Sequence, residues 1–187
     1  MDYKKLSNSI EIFGFKKKSE NVLTILVSIK LPKQRHKYTG FKHFLEHMAF
    51  QGSKKMLYPE TIIKPLQLGG RRGAFTGKNY MGFYIQFMEK DIDYALYYLK
   101  QIIFHLIYPN KQMKLGRNGI INEVKLSNSH ETGFLLKKFS KILFKGSNLE
   151  YNNMGICSHI KKITRKDLLD FHNKYFIGRN TKVFIMG

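Results

Sequence analysis

His43-Phe44-Leu45-Glu46-His47 has the form H-x-x-E-H. Residues four apart on a helix lie on one face, one turn above the other. His43 and His47 can therefore hold one metal ion between them, and Glu46 projects close to the same face. Two imidazoles with an adjacent carboxylate outline a zinc site. A carboxylate beside a zinc-bound water can take its proton and ready it for attack on a peptide carbonyl. The order inverts the commoner H-E-x-x-H, and both orders are metallopeptidase signatures. The bland alternative makes the two histidines ordinary residues of an amphipathic surface helix, and with seven His in the chain a chance match competes.

Working outward, Thr39 is a candidate N-cap for this helix and Gly52-Ser53 its expected close. A catalytic zinc takes three protein ligands and leaves a position for water. Two histidines need one more ligand, and spacing nominates none, since any of several acids could come close in the fold. Glu123, within Arg117 to Val124, is one candidate.

A chain of 187 residues predicts one domain over 1–187, long enough to bury a core without staples. The single cysteine, Cys157, excludes an internal disulfide and fits a reducing compartment; a small buried apolar residue is its competing role. Met1 to Ser7 lacks the apolar core of a signal peptide, and no run approaches the roughly 18 apolar residues of a membrane span. A cytoplasmic protein is expected. The net charge of +20 raises nucleic acid or an anionic membrane as partners. The lysines are scattered in short groups such as Lys54-Lys55 and Lys161-Lys162, and no nucleic-acid module is visible. The expectation is no membrane and no specific nucleic acid, with a field that attracts acidic peptides.

Ile10 to Phe15 and Val22 to Leu31 read as strands, with the polar stretch 16–21 as their turn. The second places Leu23, Ile25, Val27 and Ile29 on one face. Pro32 to Thr39 reads as a basic loop. Pro59 to Leu68 reads as a helix in which Pro65 is awkward. Tyr80 to Phe87 is a strand. Asp91 to Leu106 is a helix with a stripe of Ile92, Ala95, Leu96, Leu99, Ile102, Ile103 and Leu106. Met113 to Leu126 is the next helix, weakened by Gly116 and Gly119. His130 to Phe144 is another, 145–159 a loop, and Thr164 caps a last helix through Tyr175 before a strand over Lys182 to Met186. The sum is an α+β fold, a mostly antiparallel sheet with helices packed on it.

Nearly the whole chain resembles the N-terminal catalytic half of the pitrilysin family of zinc peptidases, which includes insulin-degrading enzyme and the mitochondrial processing peptidases. The stretch from Tyr38 to Ser53 is similar to the family's zinc helix. Leu68-Gly69-Gly70 with Ala74-Phe75-Thr76 is similar to its Gly-Gly and Asn-Ala-x-Thr strand. Asn118 to Val124 resembles the helix that bears the third ligand, and Ile163 to His172 the helix before the last strand. The resemblance implies that His43, His47 and Glu123 bind Zn2+ and that Glu46 is the general base. It implies that Ala74, Phe75 and Thr76 bind a peptide substrate, which adds as a strand to an edge. Gly73 stands where relatives usually have Asn, so one contact to the substrate is missing. Relatives often carry a second Glu seven residues before the ligand, and here that position is Gly116. Such supporting groups orient ligands and tune the bound water, so the departure bears on efficiency.

Family members face two such half-units across a chamber, and the second supplies an Arg-Tyr pair that holds substrate near the zinc. The resemblance therefore implies a second pitrilysin-like subunit or a homodimer. The function expected is a zinc-dependent endopeptidase acting on peptides or unfolded segments. The alternative is a non-catalytic or partner-dependent subunit of a two-chain peptidase.

Overall fold

A computed structural model describes residues 1–17, 21–33, 37–147, 149–150 and 153–187. The expected turn over 16–21, the basic loop and the loop over 145–159 lie partly outside the described residues. Six strands form one sheet: β1 (Asp2–Lys5), β2 (Glu11–Phe15), β3 (Val22–Lys30), β4 (Arg71–Thr76), β5 (Tyr80–Met88) and β6 (Thr181–Met186), in the order β1-β2-β6-β3-β5-β4. Only β2 and β6 run parallel; every other neighbouring pair is antiparallel. The α+β expectation is borne out.

The strands form because their alternation matches the pleat. Ile25, Val27 and Ile29 of β3 and Met81, Phe83, Ile85 and Phe87 of β5 point into the core. Leu26, Tyr84 and Phe184 are in register on the opposite face, where Tyr84 is exposed. The buried face is covered by α1 (Phe41–Ala49) and α3 (Ile92–Phe104), with α4 (Asn110–Ser129) packed against α1. The remaining helices are α2 (Glu60–Gln67), α5 (Glu131–Leu143), α6 (Cys157–Lys162) and α7 (Arg165–Tyr175).

Several expectations change. β1 was not foreseen, and α6 occupies the end of the expected loop. On α3, Leu96 lies outside at 46% exposure and Tyr98 is fully buried in its stead. α4 begins three residues earlier than expected and runs to Ser129 in spite of its two glycines, because Met113, Ile120 and Val124 bury on the core. Thr39 does not cap α1. Gly40 holds the N-cap with φ +81°, and α1 ends at Ala49 with Phe50 after it, ahead of Gly52. Thr164 does cap α7, through a capping box with Asp167.

Candidate metal centre

α1 is amphipathic, and its two faces have different fates. Phe41, Phe44, Leu45, Met48 and Ala49 are buried. His43, Glu46 and His47 lie along the partly exposed flank, turned toward α4 and β4. Lys42 fixes the start of the helix by donating to the carbonyls of Pro32 (2.8 Å) and Lys78 (2.5 Å). Burial, and then the Lys78 charge, lowers the pKa of that ammonium.

α4 crosses α1 at Gly116. A Cβ there would stand 3.1 Å from Met48 Sδ and 3.6 Å from Phe44 Cε2, so the missing side chain lets the helices close. One residue on, the Arg117 guanidinium lies 5.2 Å over the Phe44 ring and donates to the carbonyls of Ile160, Lys161 and Ile163. These contacts hold α4 so that Glu123, two turns along, faces the histidines.

The three expected ligands come together. His43 Nε2 and His47 Nε2 are 3.1 Å apart. Glu123 Oε2 is 3.6 Å from the first and Oε1 is 3.5 Å from the second. Donors about 2.0–2.1 Å from a tetrahedral zinc stand about 3.4 Å from one another. The observed separations bracket that value, so one ion fits among them. His, His and carboxylate is also a donor set that suits zinc. No other cluster of this kind occurs among the described residues. Burial lowers the pKa of His43 against an opposing pull from Glu123. For His47, burial and then the His43 neighbour lower it, against Glu123 and Glu46. Both imidazoles are thereby biased to the neutral form that ligates metals. The buried Nδ1 of His43 has no partner among the described residues.

Glu46 sits at the edge of the sheet. Its Oε2 accepts a short hydrogen bond from the Thr76 hydroxyl at the end of β4. Among the described residues β4 is a terminal strand paired only with β5. Ala74 packs against the core, and Phe75 on the other face covers Gly82 at 39% exposure. Gly73 lies under the Tyr84 ring, with two ring carbons and the hydroxyl oxygen 2.5 Å from where its Cβ would be, so a larger residue there would displace the ring.

The sequence reading overlooked the segment before α6, which fastens this region. Asn153 Nδ2 donates to the Thr76 carbonyl at 2.5 Å. His159 Nδ1 accepts from the Thr39 backbone N–H at 3.1 Å and lies 3.1 Å from its hydroxyl. Gly155 and Gly40 cross too closely for a Cβ on either. His159 and the two glycines are visible as residue types, but no pattern joins positions so far apart. Lys42 could have been found, since a lysine inside an otherwise apolar helix start needs acceptors.

Residues 33–155 match the insulinase family, peptidase family M16. The chain belongs to that family. Over 143 residues it is 28% identical to the mitochondrial-processing peptidase subunit beta of Dictyostelium discoideum, covering 76% of this chain and 30% of the relative. An uncharacterized zinc protease of Bacillus subtilis is 24% identical over 148 residues, 79% of this chain and 36% of the relative. This M16 chain thus spans about a third of the curated relatives it matches. A protease from Helicobacter pylori superposes with a TM-score of 0.92 at 20% identity, over 98% of this chain and 45% of that one. A peptidase M16 inactive domain from Pseudomonas fluorescens does so with 0.91 at 13% identity, over 100% and 46%. The M16 fold is shared throughout, and the resemblance to the pitrilysin peptidases holds. No helix among the described residues is long and apolar enough to cross a membrane.

Proposed function

We propose that this chain is the metal-binding half of a zinc endopeptidase that acts on peptides or unfolded protein segments. The observation that carries the reading is the convergence of His43, His47 and Glu123 at zinc-like separations, with Glu46 beside them at an open strand edge. His43 Nε2, His47 Nε2 and a Glu123 carboxylate oxygen would hold the ion. Zinc in that place supplies Lewis-acid polarisation of the scissile carbonyl. Thr76 occupies Oε2 of Glu46 and so orients the carboxylate, leaving Oε1 to take a proton from the attacking water and return it to the leaving amine. The open edge of β4 accepts the peptide as an added strand through backbone bonds, which carry little sequence preference. Ala74, Phe75 and Thr76 line that edge.

The working enzyme includes a second half-unit, as another subunit or a second copy of this chain. Two facts support this: the relatives are two to three times longer, and one of them is named as a subunit. A cytoplasmic setting goes with the reading, supported by the free thiol of Cys157. The alternative is a partner-dependent subunit that does no chemistry itself. The glycine at 116 and the His43 Nδ1 favour it, since among the described residues no carboxylate orients that imidazole from behind.

The test is cleavage of an unstructured quenched peptide by the purified chain, by Glu46→Gln, and by the chain treated with a chelator. Activity abolished by both treatments is the expected result. Zinc near one per chain with no cleavage would mean a half-site that waits for another subunit, and no zinc at all would defeat both readings.

A further inference from the structure

The edge of β4 is closed at one end. Gly77 N donates to Tyr80 O at 2.9 Å, which makes these two residues a hydrogen-bonded pair. In an antiparallel ladder bonded and non-bonded pairs alternate. The register pairs Thr76 with Met81 and Phe75 with Gly82, so Thr76 belongs to a non-bonded pair and turns its N–H and C=O toward the open edge. By the same alternation Ala74 and Arg72 turn theirs outward. A peptide added as a strand would use these groups.

The Thr76 carbonyl is already engaged, because Asn153 Nδ2 donates to it. Thr76 is also the end of β4 nearest the metal centre, since its hydroxyl reaches Glu46. The Asn153 segment is held in place by the crossing of Gly155 over Gly40 and by His159 on Thr39. We infer that Asn153 is a strand stop: it ends backbone pairing at Thr76 and so fixes the distance between the last paired residue of a peptide and the metal centre. Pairing is confined to one side of the bond to be cut, from Arg72 to the Thr76 N–H. Beyond Thr76 the peptide backbone must leave the strand path. The inference rests on strand addition as proposed above, and it adds a positioning residue that makes no contact with the metal ligands.

Amide-to-ester replacement removes one backbone N–H at a time and tests this directly. An end-labelled, unstructured eight-residue peptide and its single-ester analogues are titrated by fluorescence polarisation against the metal-free chain, which cannot cut them. Two positions, two residues apart, should weaken binding, each roughly 3- to 10-fold, the effect of one ordinary hydrogen bond. In Asn153→Ala, and in Asn153→Asp, which keeps the shape but loses the donor, a third position two residues further on should become equally sensitive. Persistence of the first two positions in both variants reports an intact edge. The inference is overturned if the third position is already sensitive in the unaltered chain, or stays insensitive in both variants while the first two persist. If no ester matters anywhere, or no peptide binds, strand addition itself falls and takes the stop with it.

Discussion

The hydroxyl of Tyr98 takes the place of the N–H that Pro65 lacks. Within α2, Pro65 cannot donate to the Thr61 carbonyl four residues back, which leaves a buried acceptor. Tyr98 of α3, itself fully buried, donates to that carbonyl at 2.7 Å. Burial raises the pKa of this phenol, so it stays a donor. The awkward proline is thereby a fixed contact between two helices.

Tyr98→Phe should cost about 1–3 kcal/mol, the penalty for a buried carbonyl left without its partner. In Pro65→Ala the restored N–H can serve Thr61, so the same tyrosine substitution should cost less. Urea denaturation of the four proteins in a double-mutant cycle measures the coupling, which should exceed about 0.5 kcal/mol. Additive losses would mean that the hydroxyl and the proline act independently.

Much of this arrangement was legible in the chain, and the losses have physical causes. The H-x-x-E-H spacing is local, so helix periodicity alone carries it. Alternation along β3 is equally local. Glu123 needed family resemblance, because the approach of α4 to α1 depends on Gly116 fitting against Met48 and Phe44. β1 was invisible because Asp2, Tyr3, Lys4 and Lys5 are all exposed and show no buried face; it persists through its ladder to β2 and the Tyr3–Phe13 contact. Thr39 looked like a cap, but its hydroxyl faces His159, a partner 120 residues away. α6 is six residues long and buries only Ile160, too short for a periodic signal.

The bond between Thr76 and Glu46 makes a kinetic prediction under the proposed function. Thr76→Val keeps the shape and removes the donor. Turnover of the active assembly should fall on the order of 10- to 100-fold, as expected for a hydrogen bond to a charged group. Bound zinc should remain near that of the unaltered chain, because Thr76 touches no ligand. Thr76→Ser should restore most of the rate. Equal loss in both variants would show that side-chain packing, and not the hydroxyl, matters at this position.

Stability should fall on acidification, and His172 is one source. It is buried between Tyr108 and Phe176 and hydrogen-bonds through Nε2 to the Ile103 carbonyl at 2.6 Å. Burial lowers its pKa, outweighing the carbonyl, which pulls the other way. The unfolded chain therefore binds this proton more readily than the folded one, so stability rises with pH through the window below about 6.5 and is lost as pH drops there. His43, His47 and His105 are lowered too and add to the slope in the metal-free protein. His172→Gln should flatten the slope by up to about 1.4 kcal/mol per pH unit, the worth of one proton. Chemical denaturation at several pH values between 5 and 8, a range chosen around the ordinary imidazole value, would show it. An unchanged slope would mean that His172 is not neutral in the folded state.

Two glycines should respond in opposite directions to alanine. Gly119 lies on the exposed side of α4 with nothing within 4 Å of a new Cβ. Gly119→Ala should stabilise the chain by about 0.5–1 kcal/mol through helix propensity alone. Gly40 sits at the N-cap of α1 with φ +81°, and a Cβ there would meet the Met154 carbonyl at 2.6 Å. Both the left-handed backbone and the backbone contact resist a side chain, so Gly40→Ala should destabilise by about 2 kcal/mol or more. The strain falls where α1 begins, three residues before His43. Zinc titration of Gly40→Ala should therefore show weaker binding, while Gly119→Ala, one turn before Glu123 but with nothing within 4 Å of its new Cβ, should bind as the unaltered chain does. Thermal melts with and without zinc separate the two effects. Unimpaired zinc affinity in a destabilised Gly40→Ala would mean that the ligand face of α1 is set by its packing on α4 and not by its first turn.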